Sequence, residues 1–380
     1  MRIIVSTHDS LAPVKGGGAL RTLKCAEELK RRGHDVIIIA PTDGINELGG
    51  IRTHWLRAPQ KQRSQILSSL KFNIRLLRKF LQFAGSTDMF FVHNTIAAAT
   101  IPFLRFFFRF RFILDVTDVH TEYLAAAKRN LLEKLATPFA LWLEYWILGS
   151  ADKVVVCTNA MKDLLAAKGI PAAKISVVYD AAETDQISPA KDPGAEKAVL
   201  HLGTVDRQHG VDLFIRAAPY VAEKHPEARF LVVGGGRELP NVISLARELG
   251  VYDKFLFTDY LPCEKARKYM RSAAIGVIPR LDTLPNRIVT TLKIYEYWAG
   301  GLAAVSSSMA GIAEIAADGR DILFFPSGDA RAMAAVISRL LEDGELRGKI
   351  AAGGMATVRK YTWADTIPAI IDIALADERP

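Results

Sequence analysis

The chain has 380 residues, half of them hydrophobic, which is ample for a buried core and favours two domains over one. Three scattered cysteines, Cys25, Cys157 and Cys263, exclude a disulfide framework and a metal-type cysteine pair, and favour a reducing compartment. Lys and Arg number 25 against 17 Asp and Glu in residues 1–185, and 24 against 24 thereafter, so the net charge of +8 sits in the first half, which is expected to meet something anionic.

In chain order, MRIIVSTHDS opens as a short strand ending in polar residues and lacks the charged-then-apolar pattern of a secretory leader. Strand-like runs recur at 2–6, 36–40, 89–93, 111–116 and 153–157, then at 198–203, 229–234, 254–258, 274–279, 302–307 and 322–326. Their near-continuous Val, Ile, Leu and Phe content suits parallel strands buried on both faces. Between them lie stretches such as ALRTLKCAEELKRRG, with apolar residues three and four apart, the helical period. The alternation predicts α/β layers with parallel sheets. SPAKDPGAEK at 188–197 is polar and aperiodic and marks the break between two doubly wound domains, expected to face each other across a cleft with ligands at the carboxyl ends of the strands. No stretch reads as a membrane span: residues 97–116 are interrupted by Arg105, Arg109 and Arg111, and PFALWLEYWILG is too short.

Several of the loops expected at strand ends carry chemistry. VKGGGALR places Gly16, Gly17 and Gly18 between the first strand and the first helix, where backbone N–H groups without a Cβ in the way can meet an oxyanion or a sugar. The spacing fits neither G-x-G-x-x-G nor a G-K-[ST] triphosphate loop, and a mobile turn is the competing reading. DVTDVHTE, residues 115–122, sets Asp118 and His120 just past a strand, where they either orient an acceptor hydroxyl and move a proton or merely cap the loop. HLGTVDRQHGVDLF combines Gly203 and Gly210 with Arg207 and His209, a glycine loop with cations that fits a diphosphate. In IPRLDTLPNRIVTTLKIYEYWAGG a strand ends at Arg280, and Glu296 then stands between two tyrosines on a short apolar helix. A carboxylate there needs a partner; vicinal sugar hydroxyls would serve, and so would Lys293 one turn earlier.

The first half also holds a basic amphipathic stretch. Residues 60–83 carry Lys61, Arg63, Lys71, Arg75, Arg78 and Lys79 without an acid, and Leu67, Leu70, Ile74, Leu77 and Leu81 recur at helical spacing. Together with RFFFRFRF at 105–112 this reads as a contact for an anionic membrane surface; the alternative is a core-packed helix with one solvated basic face. No nucleic-acid module is recognisable.

Taken together, Gly16–Gly18 before LKCAEELKRRGHDVIII, SADKVVVCTNAMKDLL, VVYDAAETDQISP, HLGTVDRQHGVDLFIRA, LKIYEYWAGGLAAVSS and GIAEIAADGRDILFFPSGD resemble the GT4-type glycosyltransferases of group 1, over nearly the whole chain and in the expected order. The resemblance implies a GT-B fold: an acceptor-binding Rossmann-like domain, residues 1–185 with about 362–380, and a nucleotide-sugar-binding Rossmann-like domain, residues 186–361. It implies a retaining hexosyltransferase using a nucleotide-diphosphate sugar without cofactor or metal, and a glycan or lipid-linked acceptor. The expected setting is cytoplasmic, with peripheral contact at the inner face of the cell membrane, and the expected role is in cell-surface polysaccharide or glycolipid synthesis. Asp118 and His120 match the catalytic positions. Gly16, Gly17, Gly18, Gly203, Arg207, His209, Gly210, Arg280, Lys293 and Glu296 make the donor set, with Glu296 on the ribose. Departures from the family pattern stand at Thr204, His209, Ile288 and Asp180-Ala181. They keep a non-catalytic scaffold of the same fold in view, beside a nucleotide-sugar epimerase.

Overall fold

The computed structural model describes residues 1–14, 16–57, 65–122, 131–184 and 187–376; of residues 65–67 and 131–136 it describes the backbone alone. The chain divides into two compact units, Met1–Tyr179 with Ala364–Pro380, and Asp180–Trp363.

The first unit is built on an eight-stranded sheet of β1 (Arg2–Thr7), β2 (Asp35–Ala40), β3 (Glu47–Leu48), β4 (Ile51–Trp55), β5 (Met89–His93), β6 (Arg111–Val116), β7 (Lys153–Val156) and β8 (Ile175–Val177). Its order is β3-β4-β2-β1-β5-β6-β7-β8, parallel except for β3 against β4. The order reverses between β1 and β5, so the loops after these two strands diverge and leave a crevice at their carboxyl ends. The glycine triplet lies in the first of them: Gly16 takes a left-handed φ of 88° and the helix Gly17–Arg31 begins at the next residue. Parallel crossovers are right-handed, so that helix lies on one face of the sheet. The helices Gln65–Phe83, Ile101–Leu104 and Leu131–Ser150, whose connections run the opposite way, lie on the other.

The second unit has a six-stranded, all-parallel sheet of β9 (Ala198–Leu202), β10 (Arg229–Val233), β11 (Phe255–Phe257), β12 (Ile275–Ile278), β13 (Ala303–Ser307) and β14 (Ile322–Phe325), in the order β11-β10-β9-β12-β13-β14. Here the switch point falls between β9 and β12. Val199, Phe230, Val232, Ile275, Val277 and Val305 pack with Phe214, Val221, Met333 and Ile337 from flanking helices, as expected for strands covered on both faces. The architecture is therefore α/β with two doubly wound sheets.

Two strands escaped the sequence reading. β3 is too short to show a pattern, and β4, IRTHW, buries only Ile51, Thr53 and part of His54, so its alternation is mostly polar. The helix Gln65–Phe83 also turns a different face inward than its leucines suggest. Phe72, Leu76 and Phe80 are buried, whereas Leu70, Ile74 and Leu81 are exposed beside Lys71, Arg75 and Arg78. The aromatic set wins the core because Phe80 packs edge-on to Phe90 of β5 at 4.9 Å. Lys61 and Arg63 lie outside the described residues.

Candidate functional site

Two clusters of polar groups stand at the two switch points, one in each unit. In the second unit the short helix Leu292–Ala299 is locked by its apolar face. Ile294, Tyr295, Tyr297 and Trp298 are fully buried, and the Trp298 indole N–H donates to the Asp321 carbonyl at 2.7 Å. The Tyr297 hydroxyl accepts the backbone N–H of Leu202, the last residue of β9, at 2.9 Å. Its ring passes where a side chain on Gly276 would stand, so Gly276 has to be glycine. Lys293 and Glu296, one turn apart on the remaining face, are thereby held beside the glycine loop after β9.

Lys293 reaches over Gly203, and Arg280 supplies a guanidinium just past the end of β12. The Arg280 backbone carbonyl accepts from Ser307 Oγ at 2.8 Å and from Ser327 Oγ at 3.0 Å, which fixes the root of its side chain. Asn286 donates to the carbonyls of Gln208 and Leu281 at 2.9 and 2.8 Å, joining the loop after β12 to the turn Arg207–His209. The cluster is electrostatically unsettled. Burial, then Arg280, pushes Lys293 down to about 7 against the pull of Glu296. Burial, then Lys293, takes His201 down to about 3 and His209 well below its ordinary value. The Nε and Nη1 of Arg280 and the Nδ1 of His209 are buried without a hydrogen-bond partner among the described residues. Such crowding of buried donors is costly unless an anion completes it.

Glu296 lies on the other side of Lys293. Arg267 Nε stands 3.5 Å from its carboxylate, and Arg267 Nη1 donates to Glu183 at 2.9 Å. Burial raises the Glu296 carboxyl above the usual range, with Arg267 and then Lys293 opposing. Gly210 has a left-handed φ of 63°, and a Cβ there would meet the Pro279 carbonyl at 1.9 Å, so only glycine permits the two loops to approach. Arg207 is exposed.

In the first unit Asp115 of β6 is fully buried between Arg21 and His93. Arg21 reaches it with Nε and Nη2 at 2.8 and 2.7 Å, and His93 Nδ1 donates to it at 2.9 Å. Burial works against the ionised carboxyl, but Arg21 and then His93 hold it well below the carboxylate range. Burial pulls His93 down while the Asp115 hydrogen bond and charge prevail and raise it. The other ring nitrogen of His93 faces Gly18, whose absent Cβ would stand 2.6 Å from it and 2.7 Å from Asp9 Oδ2. His120 packs edge-on to His8, ring centroids 5.0 Å apart, and burial takes His8 down to about 4. His8 Nδ1 and His120 Nε2 are buried without a hydrogen-bond partner among the described residues.

The loop bearing His120 is fixed from below by Glu144. This buried carboxylate accepts the backbone N–H groups of His120 and Thr121 at 3.2 and 2.9 Å and the hydroxyls of Thr95 and Thr121. The Asp118 N–H lies 3.4 Å from Asn94 Oδ1. Thus the structure gathers Gly18 and His120 with His8, Asp9, His93, Asp115 and Arg21, five residues the sequence reading passed over. Their signal lay in strand register: Thr7 pairs with His93, and His93 with Asp115, across adjacent parallel strands. Among the described residues no group of three or more His, Cys, Asp or Glu could hold a metal ion.

Known proteins resemble the chain over most of its length. The family described as Glycosyl transferase 4-like domain matches residues 16–181, and that described as Glycosyl transferases group 1 matches residues 196–343. D-inositol 3-phosphate glycosyltransferase of Acidothermus cellulolyticus is 26% identical over 61% of the chain, which spans only 56% of that relative's length. Phosphatidyl-myo-inositol mannosyltransferase of Mycolicibacterium smegmatis is 25% identical over 92% of the chain and 88% of its own. Among solved structures, sucrose-phosphate synthase of Thermosynechococcus elongatus superposes with a TM-score of 0.82 over 98% of both chains at 19% identity. HepE of Anabaena, solved in complex with UDP, superposes with a TM-score of 0.74 over 99% of both chains at 17% identity. The fold is that of the GT-B glycosyltransferases, and the chain belongs to the group 1, GT4-type family of these enzymes.

Proposed function

We propose that the protein transfers a hexosyl group, with retention of configuration, from a nucleotide-diphosphate sugar to a glycan or lipid-linked acceptor at the cytoplasmic face of a membrane. The observation that carries this reading is the cluster of half-buried Lys293 and buried Arg280 beside the glycine loop Gly203–Gly210. In the transfer, the bond from the anomeric carbon to the diphosphate oxygen breaks and a bond to the acceptor oxygen forms on the same face. The acceptor hydroxyl proton passes to the departing diphosphate, whose charge Lys293, Arg280 and the loop amides stabilise. Glu296 takes the ribose hydroxyls, and Asp118 and His120 orient the acceptor. No cofactor or metal enters this scheme.

The cluster also bears on the scaffold reading. Thr204 and His209 replace cations of the family pattern, and Lys293 and Arg280 supply positive charge beside the same loop. The relatives named for inositol phosphate and phosphatidylinositol acceptors support a polar or lipid-linked acceptor. The helix packs Phe72, Leu76 and Phe80 into the core, and the exposed Leu70, Ile74 and Leu81 beside Lys71, Arg75 and Arg78 on its outer side support contact with an anionic membrane. No helix among the described residues is long and apolar enough to cross one.

Calorimetry of UDP, GDP and ADP with the wild-type chain and with Glu296→Ala tests the assignment. Binding of one diphosphate, weakened about tenfold or more by the substitution with the melting temperature kept, is the expected result. Absence of binding by all three would favour the scaffold, and unchanged binding by the variant would remove Glu296 from the site.

A further inference from the structure

We propose that a row of aromatic rings on the first unit, Phe103, Trp142 and Phe139 exposed and Trp146 half-buried among them, inserts into the interfacial layer of an anionic lipid bilayer and supplies the salt-resistant part of membrane binding. The inference rests on the membrane reading above but assigns a different element from the basic helix. In the helix Leu131–Ser150, residues 139, 142 and 146 fall on one face, while Glu144, Ile147 and Leu148 on the opposite face are buried. Trp146 and Trp142 stack with centroids 6.2 Å apart and planes 9° apart. Phe139 continues the row 5.7 Å beyond Trp142, and Phe103 closes its other end 5.1 Å from Trp146. Phe103 is 52% exposed, Trp142 60% and Phe139 64%, and past Phe103 the row is extended in sequence by Phe106 and Phe107 at 76% and 81%.

A contiguous apolar patch of this kind marks a docking surface. Three features choose a bilayer as its occupant. Tryptophan rings suit the headgroup boundary, where one edge is apolar and the other wet. The flank carries an exposed cation, Arg109, two residues past Phe107, while Arg105 is paired with Asp152 at 2.9 Å. Finally, the basic helix Gln65–Phe83 lies on the same face of the sheet, and both helices contact the single turn Thr95–Ala98, so charge and rings share one side of the unit. A second copy would bring like-charged faces together.

The same helix carries Glu144, which holds the His120 loop. A bilayer-seated row therefore fixes the catalytic loop at the height of lipid headgroups.

The test is flotation of the full chain with phosphatidylglycerol–phosphatidylcholine vesicles at low and high salt. Wild type is expected to bind and to keep a salt-resistant fraction. Phe139→Glu with Trp142→Glu should lose that fraction by about tenfold with an unchanged melting temperature, both residues being exposed. Charge reversal at Lys71, Arg75 and Arg78 should remove only the salt-sensitive fraction. Tryptophan quenching by brominated lipid should fall in Trp142→Phe. Equal salt-resistant binding and equal quenching in these variants would overturn the aromatic row while leaving the membrane reading. Failure of wild type to bind at low salt would overturn both. A dimer that the Phe139 and Trp142 substitutions split, without vesicle binding, would give the face to a second copy and also sink the proposal.

Discussion

Lys293 lies directly over Gly203: a Cβ at position 203 would meet its Cε at 2.9 Å and its Nζ at 3.0 Å. The glycine also holds a φ of 120°, outside the range other residues adopt comfortably. Gly203→Ala should therefore displace a mobile amine rather than backbone. The expected outcome is a modest stability loss of about 1–3 kcal/mol from the strained φ, with diphosphate affinity reduced about tenfold or more. Thermal melts beside calorimetry separate the two effects; full diphosphate affinity in the variant would show that Lys293 does not need this seat.

Proton linkage gives Lys293 a signature of its own. With its amine held down to about 7 in the folded chain against 10.5 in the unfolded one, the unfolded state holds more protons across that interval. Its contribution to fold stability is thus complete above the ordinary lysine range and is lost as pH falls through about 7. A bound diphosphate favours the charged amine, so binding takes up a proton and affinity should fall by up to about tenfold per pH unit above neutrality. Calorimetry in buffers of differing ionisation enthalpy measures that uptake, and Lys293→Met should abolish it.

Gly18 packs against His93 as Gly203 packs against Lys293, but the neighbour cannot swing away, being fixed through Nδ1 to Asp115. Gly18→Ala should lower kcat about tenfold or more by displacing the His93 ring, while affinity for the diphosphate, which the proposed function assigns to the second unit, stays within about twofold. Parallel losses in kcat and diphosphate affinity would instead make the glycine triplet a primary phosphate cradle.

Much of the fold was legible because buried parallel strands spell themselves as continuous apolar runs, as in VIIIA and MFFVH. β4 was not, since half of its residues face solvent. The donor loops were legible because a close backbone approach demands glycine, and Gly210 against Pro279 is such an approach. Arg21 and Asp115 were illegible for the opposite reason. An arginine one turn into a helix and an aspartate inside a strand look solvated until packing places them 94 residues apart in sequence yet in bidentate contact. The inward face of Gln65–Phe83 was not legible because apolar residues recur at the helical period on more than one face.

The Arg21–Asp115–His93 set has a consequence for descent. Removing one member of a buried ionic group strands the charge of the others, at a cost of about 3–5 kcal/mol, much of a domain's whole stability. Single drift at any of the three positions is therefore a step toward an unfolded chain. Relatives aligned over these positions should keep all three or replace them as a group, so the set should travel through the lineage as one inherited character.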